Sequence, residues 1–233
     1  MMAFRFNSLT QYLYIALAAM LITPAMTSFA VEFKNQLLEV VEQRFGSDAA
    51  QRLVDWQSMA WDLKQSYTQD VELSQLKQVN DFFNQAAFVD DIELWGDTDY
   101  WATPVELLAK NAGDCEDYAI AKFFTLLFAG VDESKLQISY VKALELNQAH
   151  MVLAYYPTPN SEPLILDNIN KNILPASQRT DLEPVYGFNG LGVWLNRFSR
   201  SNAKRVGDPS IMDNWSDMLR RQGILMLRRE SNK

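Results

Sequence analysis

Apolar residues recur at helical spacing through the first part of the chain and at strand spacing later. Leu37, Leu38, Val41 and Phe45 mark one helical face, and Gly46 can end that helix. Ser47 or Asp48 can cap the next helix, which carries Leu53, Trp56, Ala60 and Leu63 on one side. A third helical stretch runs from about Leu73 to Ala87. These stripes are packing faces.

Residues 90–101 break the pattern, with Asp90, Asp91, Glu93, Asp97 and Asp99 set among Trp95, Tyr100 and Trp101. They read as an acidic, aromatic loop. Thr103-Pro104-Val105-Glu106 is then a helix start, with Thr103 as cap, Pro104 in the first turn and Glu106 completing a capping box. That helix gives way at Asn111-Ala112-Gly113. Asp114 can cap a second one from Cys115 to about Ala129, with Ala119, Ile120, Phe123 and Leu127 inward and Gly130 at its end.

After Gly130 the period changes. Leu136 to Leu144, His150 to Tyr156 and Leu164 to Asp167 are rich in Ile, Val, Leu and Tyr and read as strands. Pro157-Thr158-Pro159-Asn160-Ser161 joins the last two as a hairpin loop. Shorter strands are expected between Leu174 and Val193, and a final helix from Asp213 to Gln222. Helices followed by sheet give an α+β fold.

The first thirty residues stand apart. Arg5 is their only charge, an apolar run spans Tyr12 to Ile22, and Ser28-Phe29-Ala30 offers small residues where a signal peptidase reads. The run is shorter than the ~20 residues that span a bilayer, so a cleaved signal peptide over 1–30 is expected rather than an anchor. Residues 31–233 then form one exported, periplasmic domain with a helical N-terminal part and a basic C-terminal helix.

Without Arg5 the chain has 20 basic and 29 acidic residues, a net charge of −9. That argues against nucleic acid as a partner, because phosphate binding needs a basic surface. From Arg197 to Lys233 the balance is nine basic against four acidic, so residues 31–196 carry −14. The basic end is either a solvated helix or a docking surface.

Cys115 is the only cysteine of this exported chain, and His150 the only histidine. Export usually selects paired cysteines or none, so a lone thiol is an accident or a working group. Its position suits work. A thiolate needs a lowered pKa, and a helix N-terminus supplies partial positive charge and free N–H groups. The Cys115 N–H can also serve as an oxyanion donor.

A nucleophile needs a base, and a base needs an orienting acceptor. If the loop after Tyr156 closes an antiparallel hairpin with Tyr156 opposite Pro163, Asp167 faces Val152. Val152 and His150 share a strand face, which puts Asp167 diagonally beside His150. Each of the three residues alone has a bland reading: core thiol, structural histidine, turn former. Together, in the order Cys–His–Asp on helix, strand and strand, they form a papain-like triad.

Asp114, Glu116 and Asp117 crowd the nucleophile with carboxylates. Two readings stand. They cap the helix, or they hold calcium, which takes several hard oxygens, with more available from the acidic loop at 90–99.

Gly113-Asp114-Cys115-Glu116-Asp117-Tyr118-Ala119, His150-Met151-Val152-Leu153 and Leu166-Asp167-Asn168 resemble the bacterial transglutaminase-like cysteine proteinases of the LapG type. Trp95, Tyr100-Trp101 and Thr103-Pro104 fit as well, and the resemblance spans roughly residues 35–200. It implies a transglutaminase-like fold, with the catalytic Cys at a helix N-terminus packed on an antiparallel sheet that carries His and Asp. It maps the triad onto Cys115, His150 and Asp167, and calcium onto Asp114 and Glu116 with Asp117 beside them. It implies a calcium-dependent periplasmic endopeptidase. The substrate would be the N-terminal region of a large repeat adhesin, cut at a paired-alanine site to release it and disperse biofilm. The implied inhibitor is an inner-membrane cyclic-di-GMP receptor of the LapD type, and the free protease is expected to be monomeric. Two other functions use the same residues: acyl transfer to an amine, and a non-enzymatic calcium-dependent adaptor.

Overall fold

The structure, a computed structural model, describes residues 36–68, 72–195, 198 and 204–225. The expected signal peptide and much of the basic C-terminal segment lie outside the described residues.

Helix α1 covers residues 36–45, and α2 (Ser47–Gln65) follows with Leu53, Trp56, Ala60 and Leu63 buried as the spacing predicts. Neither Ser47 nor Asp48 caps α2. Gly46 does, with φ 90°, a region open to glycine, and no side-chain hydrogen bond is made there. Helix α3 (Glu72–Phe83) ends four residues before Ala87, which instead belongs to β1 (Ala87–Phe88).

The acidic loop holds a short helix, α4 (Asp91–Leu94). Helix α5 (Pro104–Lys110) starts on the expected capping box: the Glu106 N–H donates to Thr103 Oγ1 at 3.2 Å, and the Thr103 N–H donates to Glu106 Oε2 at 2.7 Å. Arg52 of α2 closes its other end by donating to the Leu108 and Ala109 carbonyls. Strand β2 (Ala112–Gly113) pairs in parallel with β1 and leads into α6 (Cys115–Ala129), which ends on Gly130 at φ 111°.

The chain then builds a seven-stranded antiparallel sheet in the order β6-β5-β4-β3-β7-β8-β9. Its strands are β3 (Leu136–Ala143), β4 (Gln148–Tyr155), β5 (Leu164–Leu166), β6 (Leu174–Pro175), β7 (Leu182–Asn189), β8 (Gly192–Leu195) and β9 (Lys204–Gly207). The β4–β5 register is the expected one, with Leu153 opposite Leu166 and Tyr155 opposite Leu164. Strand alternation divides the core. Leu136, Ile138, Met151, Leu153 and Tyr155 face the helices, while Val141, Val152, Ala154 and Ile165 form a second cluster. Helix α6 lies chiefly against β4. The last helix, α7 (Asp213–Leu225), docks by stacking Trp215 on Phe124 and edging it against Phe123 and Phe188. The fold is α+β, with Cys115 at a helix start against an antiparallel sheet.

Candidate active site

The strand–helix turn at Gly113 places Cys115. A Cβ on Gly113 would meet Asp117 Oδ2 at 2.5 Å and Leu107 Cδ1 at 2.8 Å, so only glycine lets Asp117 fold back under the helix start. Asp117 Oδ1 then accepts from the Ala102 N–H at 2.7 Å, and Oδ2 from the Asp114 N–H at 3.3 Å. Asp117 therefore ties the loop to the first turn of α6.

The thiol lies at the edge of β4 where β5 has ended. It receives the backbone N–H of Met151, the residue after His150. Its own proton goes to Glu116 Oε2 at 3.1 Å and not to His150. Burial pushes the Cys115 thiol well above its ordinary value, and the Glu116 and Asp114 carboxylates push it further.

His150 and Asp167 are in contact. His150 Nε2 lies 2.8 Å from Asp167 Oδ1, with His150 2% and Asp167 1% exposed. The sheet register brings them together, as the hairpin reading expected. Burial alone would raise the Asp167 carboxyl. The contact with His150, the Ile169 N–H and Arg179 outweigh it and hold the group far below the usual carboxylate range. With Nε2 committed to Asp167, Nδ1 is the nitrogen left to exchange a proton. A cleft of about 100 Å³ reaches this pair between Leu146, Ile169 and Leu182, and Cys115 does not line it.

Among the described residues three acidic groupings converge near Cys115: Asp114 with Cys115 and Glu116, Asp91 with Asp114 and Asp117, and Asp91 with Asp99 and Glu116. In each the ligand atoms lie within 4.8 Å of one another. Asp91 is buried and accepts the Tyr100 N–H at 2.5 Å through Oδ2. Its Oδ1 and Asp114 Oδ1 are buried without a hydrogen-bond partner among the described residues. Burial and the mutual repulsion of these groups push Asp91 up to about 6 and raise Asp114 and Asp117 well above the carboxylate range. Converging oxygens that cannot all ionise unaided, two of them unpartnered, fit a hard divalent cation.

Two residues of these clusters are not singled out by the sequence. The loop at 90–99 is expected as a source of further calcium oxygens, but nothing local distinguishes Asp91, its buried member, from the other acids there. Arg179 follows a short 3₁₀ turn after β6 and carries no periodic signal. Its Nη2 lies 2.7 Å from Asp167 Oδ2.

The description "bacterial transglutaminase-like cysteine proteinase" belongs to the family model that matches residues 51–183. Solved structures of Legionella pneumophila LapG are similar. One is 40% identical at a TM-score of 0.67, covering 81% of this chain and 96% of that one. An EGTA-treated form is 41% identical at 0.68 with the same coverage. A calcium-bound form is 39% identical at 0.66, covering 81% and 98%. No curated protein sequence matches.

Proposed function

The chain belongs to the bacterial transglutaminase-like cysteine proteinases, and from that premise we propose that it is a calcium-dependent periplasmic endopeptidase working through Cys115, His150 and Asp167. The observation that carries this reading is the buried His150–Asp167 pair one residue from the Met151 N–H that donates to the Cys115 sulfur.

In the proposed reaction His150 Nδ1 takes the Cys115 proton, and the sulfur attacks a substrate carbonyl. The carbonyl oxygen turns toward the Cys115 N–H at the start of α6, where one donor is typically worth ~3 kcal/mol. The imidazolium, steadied by Asp167, protonates the leaving amine. His150 then draws a proton from water, which hydrolyses the thioester and frees Cys115. For this the thiol must leave Glu116 for His150. Such contacts often tighten only with substrate bound.

Asp91, Asp114 and Glu116, with Asp99 and Asp117 beside them, would hold calcium. Bound calcium would supply positive charge against the carboxylates that now hold the thiol proton. Support comes from the unpartnered Asp91 and Asp114 oxygens and from the calcium-bound form of the similar Legionella protein.

The substrate we propose is the N-terminal region of a large repeat adhesin, cut at a paired-alanine site so that adhesin is released and biofilm disperses. The proposed inhibitor is an inner-membrane cyclic-di-GMP receptor of the LapD type. The test is incubation of residues 31–233 with an adhesin N-terminal fragment and a free amine, read by mass spectrometry. Two hydrolysed products in calcium and none in chelator are expected. An aminated product without hydrolysis would instead make the protein an acyltransferase.

A further inference from the structure

Asp167 stands one residue past β5, which pairs with β4 over only three positions. The strand ladder therefore stops short of the residue that must orient His150. The two carboxylate oxygens of Asp167 have separate partners. Oδ1 takes His150 Nε2 at 2.8 Å and the Ile169 N–H at 2.9 Å. Oδ2 takes Arg179 Nη2 at 2.7 Å.

Arg179 is itself fixed. It is 2% exposed, and it donates through Nε and Nη2 to the two oxygens of Asp181 at 2.9 and 2.8 Å. Its backbone is held on both sides, by its own N–H to the Ala176 carbonyl and by the Leu182 N–H to its carbonyl. The 3₁₀ turn Ala176–Gln178 and β7 thus aim one planar fork at Asp167. A buried ion pair of this kind is weak evidence for stability, since apolar residues of similar volume often serve as well. Partners that orient a working ligand or base, in contrast, act through geometry.

We infer that Arg179 is a positioning residue for the catalytic base: by holding Asp167 Oδ2 it fixes the carboxylate rotamer that presents Oδ1 to His150 Nε2. The imidazole is thereby kept with Nε2–H toward Asp167, which leaves Nδ1 for proton exchange. The inference rests on the proteinase reading for its consequence in catalysis, but not for its geometry. Lys122 also lies near Asp167, yet its Nζ makes no hydrogen bond among the described residues, so it does not set that rotamer.

His150 is the only histidine in the chain, which makes the test direct. In tag-free, isotope-labelled protein the imidazole gives one Nε2–H resonance, expected downfield and slow to exchange. In Arg179→Met that proton should exchange roughly tenfold faster or broaden away, and kcat on a paired-alanine peptide should fall on the order of 10- to 100-fold with KM nearly unchanged. Arg179→Lys should recover part of both effects. Added to Asp167→Asn, Arg179→Met should cost little more, because both act through one contact. If Arg179→Met does not fold, Asp181→Asn, which frees the guanidinium without removing it, should move the same proton in the same direction. An unchanged imidazole proton in a folded variant, or losses that multiply in the double variant, would overturn the inference. A protein that cleaves nothing but whose imidazole proton responds to Arg179 would retain the clamp and remove the proteinase reading instead.

Discussion

Glu116 Oε2 accepts a hydrogen bond from Cys115 Sγ at 3.1 Å. The proposed nucleophile is thus held as a thiol by its chain neighbour, with burial and Asp114 acting in the same direction. A change of one unit in the thiol pKa alters the thiolate fraction about tenfold. Iodoacetamide should therefore alkylate Cys115 slowly at about pH 7 in chelator, and on the order of tenfold faster in calcium. Glu116→Gln should react faster than wild type in chelator and respond little to calcium. Equal wild-type rates in calcium and chelator would separate calcium from the thiol.

Asp91 is the buried acid of the loop before α5, and it shares groupings with Asp114, Asp117, Asp99 and Glu116. Asp91→Asn should weaken calcium binding roughly tenfold or more by titration calorimetry, since it removes a charge from the ligand set. Asp97→Asn, outside those groupings, serves as the control. An Asp91→Asn protein that binds calcium like wild type would exclude this residue from the site.

Lys122 is fully buried on α6, and its Nζ has no hydrogen-bond partner among the described residues. Burial pulls its pKa from 10.5 down to about 7, against the opposing pull of Asp167. Between these two values the unfolded chain binds the proton and the folded chain does not, so native stability falls as pH drops from 10.5 to about 7. Below that window the full cost of the buried charge is present. Lys122→Met should raise the melting temperature, with a larger gain at about pH 6 than at about pH 9. A gain independent of pH would show that the ammonium is solvated.

Trp215 anchors α7 against Phe123, Phe124 and Phe188, and the same helix reaches the acidic loop through Asn214 on the Asp99 carbonyl and Arg221 on the Trp101 carbonyl. Trp215→Ala should cost about 3–5 kcal/mol by denaturant unfolding. A loss below about 1 kcal/mol would mean that α7 contributes little to the packed core.

What was readable in the sequence was what local chemistry decides. The capping box at Thr103 and the αL glycine at Gly130 are specified within a few residues. The β4–β5 register follows from turn residues between two apolar runs, and it predicts the His150–Asp167 contact. The start of α2 was misassigned because Ser47 and Asp48 are good caps in isolation, while Gly46 at φ 90° sets the chain one residue earlier. The end of α3 was placed late because Ala86 and Ala87 suit a helix, and the pairing of Ala87 with Ala112 is not a local property. The choice of Asp91 among the loop acids, and Arg179 altogether, were hidden for a similar reason. Their burial comes from contacts with Tyr100 and Asp167, at separations that no spacing rule spans.

The most direct test is single-turnover cleavage of an adhesin N-terminal fragment in calcium, comparing wild type with Cys115→Ala, His150→Ala and Asp167→Asn. Wild type should cut, with the N-terminal product trapped as a thioester on Cys115 when the reaction is quenched in acid. Cys115→Ala and His150→Ala should give no detectable product, and Asp167→Asn should be slowed by as much as ~10⁴-fold. Cleavage by Cys115→Ala at the wild-type rate would contradict the assignment of Cys115 as the nucleophile.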